Sequence, residues 1–257
     1  MKKILSILGV VVVAIVAFLL ILMWKDSLNP YDVAGCDYSV PEGEIPTFTG
    51  AHPDFTNKFD GKAILPFLGS TLIDLDGDGT DEIFFGAGVN QKNALFKFDG
   101  AKFVDISEQS GLLEVPDGTT YGAVSYDLDD NGQTDLILTR PDGVWFLAND
   151  GGKFTSSRLP IEVDEKSSPF TVTLGDYDKD GLADIFLCCY LQVDKMEGQN
   201  IFNKHNYGAN SILLKNKGGL KFEDVTDASG MRFTHNTFQG IFVDLDDDGW
   251  LDLAVAY

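Results

Sequence analysis

The chain has 257 residues, 40 of them acidic against 19 basic, and a formal charge of -21. Such an excess of carboxylates excludes a nucleic-acid or anionic-lipid surface, which needs clustered Lys and Arg, and makes cations the natural partners. With 44% hydrophobic and 12% aromatic residues, the chain carries far more apolar surface than a solvating acidic tail, so it is expected to fold.

At the N-terminus, Lys2 and Lys3 precede an apolar run from Ile4 to Trp24, broken only by Ser6 and closed by Lys25 and Asp26. About 21 residues at about 1.5 Å each span a hydrocarbon core of ~30 Å. Residues 1–25 are therefore expected to form a transmembrane anchor, with the two lysines inside and the remainder facing the periplasm or cell surface. A cleaved signal peptide is the competing reading; the length of the run and the lack of a small-x-small site at its end speak against it. Val33, Ala34, Gly35 and Cys36 have the letters of a lipoprotein cleavage box, but Lys25, Asp26 and Pro30 separate them from the run. Residues 26–60, with Pro30, Pro41, Pro46 and Pro53, read as a stalk leading into a folded region over 61–257.

Within that region one acidic pattern occurs four times, D-x-[DN]-x-[DN]-G-x-x-[DE]. It places Asp74, Asp76, Asp78 and Glu82 in the first loop and Asp127, Asp129, Asn131 and Asp135 in the second. The third holds Asp176, Asp178, Asp180 and Asp184, and the fourth Asp244, Asp246, Asp248 and Asp252. Oxygen ligands at positions 1, 3 and 5 curl around a hard cation, a Gly at position 6 permits the turn, and the acid at position 9 closes the shell. Up to four Ca²⁺ ions are therefore expected, since magnesium prefers a tighter octahedron and transition metals would want the His or Cys that these loops lack.

An EF-hand fails, because its closing position 12 is Phe85, Leu138, Leu187 or Val255 here. The alternative without metal is a set of Asp-rich turns that cap backbone N–H groups, at the cost of crowding carboxylates together. Asp81 leaves open which acid closes the first loop, and Asn131 removes a charge from the second, which marks it as the weakest site.

Short runs of β-forming residues flank every loop and predict strand-loop-strand hairpins. A second pair of segments follows the first three: Ala94 to Phe98 with Lys102 to Val104, Val144 to Leu147 with Lys153 to Thr155, and Ser211 to Leu214 with Leu220 to Phe222. Each unit is then one four-stranded blade, with limits near 66–112, 119–160, 168–231 and, incomplete, 235–257. Because strands alternate direction, the acidic loops share one face. The opposite face carries an insertion from Gln192 to Asn210, whose Lys195, Asn200, Lys204, His205, Asn206 and Tyr207 form the candidate ligand surface.

In the links between blades, Ser107 and Thr226 are placed to cap a helical turn that Gly111 and Gly230 end. Cys188 and Cys189, neighbours on one strand, read as packing residues facing opposite sides.

With these loops, hairpins and links, the chain resembles the FG-GAP/VCBS repeat superfamily, the calcium blades also seen in integrin α propellers, over about residues 66–257. The link followed by Gly240 to Asp252 looks like bacterial proteins related to cartilage acidic protein. The resemblance implies an all-β propeller with calcium at positions 1, 3, 5 and 9 of each loop. It also implies an extracytoplasmic setting and a role in adhesion or in glycan or protein binding. Such propellers commonly have seven blades, whereas the fourth here stops at Tyr257, so a partial propeller is expected.

An anchored scaffold of an envelope complex is the alternative role, and a non-catalytic part of a polysaccharide-active enzyme comes after it. Catalysis is not expected: His52, His205 and His235 have no partners at motif spacing, and no nucleophile elbow occurs.

Overall fold

The computed structural model describes residues 50–59, 68–192 and 208–257. The expected membrane anchor and most of the stalk therefore lie outside the described residues, as do the insertion's Lys195, Asn200, Lys204, His205, Asn206 and Tyr207. Among the described residues no helix is long and apolar enough to cross a membrane.

The described chain is all-β, with four antiparallel sheets of the kind that form propeller blades. The first holds β1 (Ser70–Ile73), β2 (Glu82–Phe85), β3 (Ala94–Phe98) and β4 (Phe103–Asp105), each paired to the next in chain order. The second holds β5 (Gly122–Tyr126), β6 (Asp135–Arg140), β7 (Gly143–Asn149) and β8 (Phe154–Arg158). The third holds β9 (Ser167–Gly175), β10 (Asp184–Leu191), β11 (Ile212–Asn216) and β12 (Phe222–Asp224), and the fourth pairs β13 (Gln239–Val243) with β14 (Asp252–Ala256).

The expected strands all form, with several ends moved by one to three residues. The segment expected to begin at Leu220 starts at Phe222, because Leu220 adopts a positive φ of 56° and belongs to the turn. The links also differ from expectation. Ser107 and Thr226 do not cap a helix; each side chain donates to the Asp two residues earlier and accepts the N–H of Leu95 or Leu213 on its own sheet's third strand. The backbone there closes into hydrogen-bonded turns, and a single 3-10 turn, Leu112–Glu114, follows Gly111.

Alternation along the strands builds the core. In β6, Leu136 and Leu138 face the first sheet and pack with Ile73, Phe84 and Leu95, whereas Ile137 faces the third sheet. In β10, Ile185, Leu187 and Cys189 face the second sheet, and Phe186 and Cys188 face the fourth. A strand buried on both faces needs apolar residues at every position, which is why these segments read as continuous runs rather than as alternating ones. Cys188 and Cys189 are free and buried on opposite faces, as packing residues should be.

The first strands of successive sheets, β1, β5, β9 and β13, lie against one another. Here two glycines are required by space: a Cβ at Gly69 would come within 2.5 Å of the Gly122 carbonyl carbon, and one at Gly122 within 2.6 Å of the Phe170 oxygen. A hydrogen bond from Thr139 of β6 to the Phe170 carbonyl ties the second sheet to β9, and one from Thr171 to the Phe238 carbonyl ties β9 to the residue before β13.

A candidate metal centre in four copies

Every β1-type strand leads into its acidic loop and every β2-type strand leaves it, so the four loops crown the same end of their sheets. The backbone is the same in all four. Position 4 is left-handed at Gly77, Asp130, Lys179 and Asp247, with φ between 60° and 71°. Position 6 is left-handed at Gly79, Gly132, Gly181 and Gly249, with φ between 82° and 91°. Two left-handed residues in one loop fold its N–H groups inward, and only a side chain without bulk meets position 6 at no cost.

The carboxylate at position 1 receives those N–H groups. Asp74 accepts from Asp78 and Gly79, Asp127 from Asn131 and Gly132, Asp176 from Asp180 and Gly181, and Asp244 from Asp248 and Gly249. Position 5 accepts from the backbone two residues on, at Thr80, Gln133, Leu182 and Trp250. Backbone capping by Asp-rich turns is thus present, yet it occupies only part of each carboxylate's capacity, since each oxygen offers two lone pairs.

Position 9 is the buried hub of the first three loops, at Glu82, Asp135 and Asp184. Asp135 accepts the N–H of Leu128 on one oxygen and of Asn149 on the other; Asp184 does the same for Tyr177 and Asn216. Burial pushes both carboxyls up from 3.8 to about 6, because the ionised form has lost its water. In the first loop the buried acid is Glu82, and Asp81 is exposed, so Glu82 is the residue that turns into the loop. Its Oε2 accepts from Leu75 and its buried Oε1 meets the Lys97 ammonium at 3.1 Å, whereas Oδ1 of Asp178 is buried with no hydrogen-bond donor. In the fourth loop Asp252 accepts from Leu245.

The structure brings together Asp74, Asp76 and Glu82; Asp127, Asp129 and Asp135; and Asp176, Asp178 and Asp184, with one oxygen of each within 4.8 Å of the others. In the fourth loop the corresponding trio is Asp244, Asp246 and Asp248, and Asp252 is not among them. Asp78 and Asp180 stand outside the trios of their loops. An all-oxygen donor set, with the buried Asp178 Oδ1 left unpartnered, fits a hard divalent cation such as Ca²⁺.

Sequence reasoning missed two lysines. Lys97 on β3 places its Nζ 2.8 Å from Asp76 and Asp78 and 3.1 Å from Glu82. Lys215, at the matching place on β11, contacts Asp178 and lies 3.2 Å from Asp180. The carboxylates hold both ammonium groups above their ordinary range, and Lys97 in turn holds Asp78 below its own. The signal was present: Lys97 and Lys215 each stand two residues before a third-to-fourth strand turn, where the second sheet has Ala148.

On the opposite end of the first sheet is a polar cleft of about 680 Å³, lined by Phe55, Lys58, Gln91, Lys92, Glu108 and Asp117 among others. Several of its polar groups are committed: Gln91 binds the backbone at Thr56, Lys58 and Gly88, and Lys92 donates to the carbonyls of Leu113 and Val115.

The family of FG-GAP-like repeats matches this chain twice, over residues 74–138 and 127–187. No curated protein matches it. Among solved structures, a study of specific recognition of non-reducing terminal N-acetylglucosamine by an Agrocybe aegerita lectin aligns at 19% identity with a TM-score of 0.36, covering 61% of this chain. This chain spans 36% of that lectin's length.

Proposed function

From a chain that carries FG-GAP-like repeats and fits the FG-GAP/VCBS superfamily, we propose a calcium-binding module of the cell exterior, in which Ca²⁺ stiffens the blades of a propeller and the opposite face binds a glycan or protein. The observation that carries this reading is the recurrence of one loop geometry four times, with three acidic oxygens gathered within 4.8 Å in each. Carboxylates so close together repel, and a divalent cation removes that repulsion while using lone pairs that capping leaves free. In the first three loops Asp74, Asp76 and Glu82, Asp127, Asp129 and Asp135, and Asp176, Asp178 and Asp184 would hold the ion, with position 5 completing the shell. In the fourth, Asp244, Asp246 and Asp248 would do so.

The rest of the reading follows the chain. The apolar run from Ile4 to Trp24 would anchor the protein, residues 26–60 would space it from the membrane, and residues 61–257 would form the blades. Adhesion is the role that suits such a layout, with rigid blades presenting the varied loops of the face away from the metal. The sequence carries no nucleophile elbow and no histidine at motif spacing, and a non-catalytic role is proposed. Calorimetric titration of the metal-free full-length chain with Ca²⁺ tests the core of the proposal. Up to four equivalents bound, with a higher melting temperature, would support it; a flat titration of correctly folded protein would end it.

A further inference from the structure

We infer that Lys97 and Lys215 are tethered counter-cations, which neutralise part of the first and third acidic loops when metal is absent and must swing away for a divalent ion to bind. This inference rests on the calcium reading above and adds an order to it: among the three four-stranded sheets, the loop of the second, which has no such lysine, binds the ion most tightly. That reverses the order expected from Asn131 alone.

Three observations carry it. First, each ammonium sits among the ligand carboxylates themselves, Lys97 on Asp76, Asp78 and Glu82 and Lys215 on Asp178 and Asp180. A Ca²⁺ ion held by the same oxygens would lie within a few ångströms of that positive charge and be repelled by it. Second, the charges match across the repeats. Counted at positions 1, 3, 5 and 9 together with the third-strand residue, the first and third loops offer four carboxylates and one lysine; the second offers three carboxylates, with Asn131 at position 5 and Ala148 in the lysine's place. Each set therefore has the same net charge, although only two contain a lysine.

Third, the tie between position 5 and the third strand survives by different chemistry. In the first and third loops it is the ion pair Asp78 to Lys97 or Asp180 to Lys215. In the second, the amide of Asn131 donates to the Asn149 carbonyl at 3.2 Å. A neutral hydrogen bond fastens the loop without filling the cation's place. A lysine does both, and its flexible four-carbon stem lets the ammonium leave when an ion arrives.

The test is calorimetric titration of the full-length chain with Ca²⁺, on wild type, the double variant Lys97→Met and Lys215→Met, and the single variant Ala148→Lys. Circular dichroism confirms the β fold, and Lys→Gln variants serve should the Met pair fail to fold. Two sites are expected to tighten by about tenfold, or about 1.4 kcal/mol each, in the double variant. Ala148→Lys should weaken one site by a similar factor. Wild type that binds Ca²⁺ alongside a double variant of unchanged or weaker affinity would overturn the lysine inference alone. Wild type that binds none alongside a double variant that does would overturn the calcium reading of the native chain and support the lysines. Binding by neither would overturn both.

Discussion

The two ends of the sheets are built by opposite rules. At the acidic end, the same spacing, left-handed positions and backbone-capping carboxylates recur in all four loops. At the other end the links after β4 and β12 repeat one turn, but the described loops between second and third strands differ. Residues 86–93 are organised by Asn93, which accepts from Ala87 and Thr120, whereas the turn after β6 is organised by Arg140, which reaches the carbonyls of Pro116 and Asp117 and lies over the Trp145 ring. Repetition marks a demand every blade shares, which is to hold a hairpin open around charge. The varied end answers to no common demand, so its differences are free to specify a partner.

The contrast is sharpest in its response to metal. Saturating Ca²⁺, at about 1,000 times a site's dissociation constant, should stabilise the protein by about 4 kcal/mol per site that is empty in the unfolded chain. Thermal melts with Ca²⁺ and with a chelator measure this, and equal melting temperatures would erase the distinction between the two ends. Next, Asp184→Ala removes the acceptor for the buried N–H groups of Tyr177 and Asn216 and should cost about 3 kcal/mol in metal-free urea unfolding. It should also abolish uptake at the third loop.

A smaller loss, about 2 kcal/mol, is expected from Asn93→Ala at the varied end, since it orphans Ala87 N–H and the Thr120 hydroxyl. Its Ca²⁺ affinities should equal those of wild type; a change in them would mean that the ends are coupled. The smallest effect concerns pH. Asp135 binds its proton more tightly in the folded state, at about 6 against 3.8, so its contribution is fully present below pH 4 and is lost as pH rises through 6. Metal-free Asp135→Asn should therefore lack the part of the pH slope that wild type shows in that window, a difference of about a degree or two in melting temperature.

Much of the acidic end was legible because its physics is local. Spacing at positions 1, 3, 5, 6 and 9 fixes the turn, and apolar runs on both sides locate the strands, so the sheets and their order followed. What escaped were contacts set by strand pairing rather than by nearness in sequence. Lys97 is separated from Asp76 by two strands and a connecting loop, and only the pairing of β2 with β3 brings it into the acidic loop. The choice of Glu82 over Asp81 was likewise invisible until register assigned one to the interior and the other to solvent. The turn expected after Ser107 closes and ends at Gly111, but the cap failed because the hydroxyl had a better-placed partner in Leu95, on a strand that local rules do not see.

Position 2 of the acidic loops gives the array a direction. Leu75 packs with Leu147 and Phe154 of the second sheet, Leu128 with Ile185 and Leu187 of the third, and Tyr177 stacks on Phe242 of the fourth. Leu245, with no following sheet among the described residues, is 68% exposed, against 5% for Leu75 and 6% for Leu128. Each loop is thus latched by the blade after it, as a shingle is held by the course laid over it. Amide exchange should register that asymmetry as slow opening at Leu75 and Leu128 and fast fraying at Leu245.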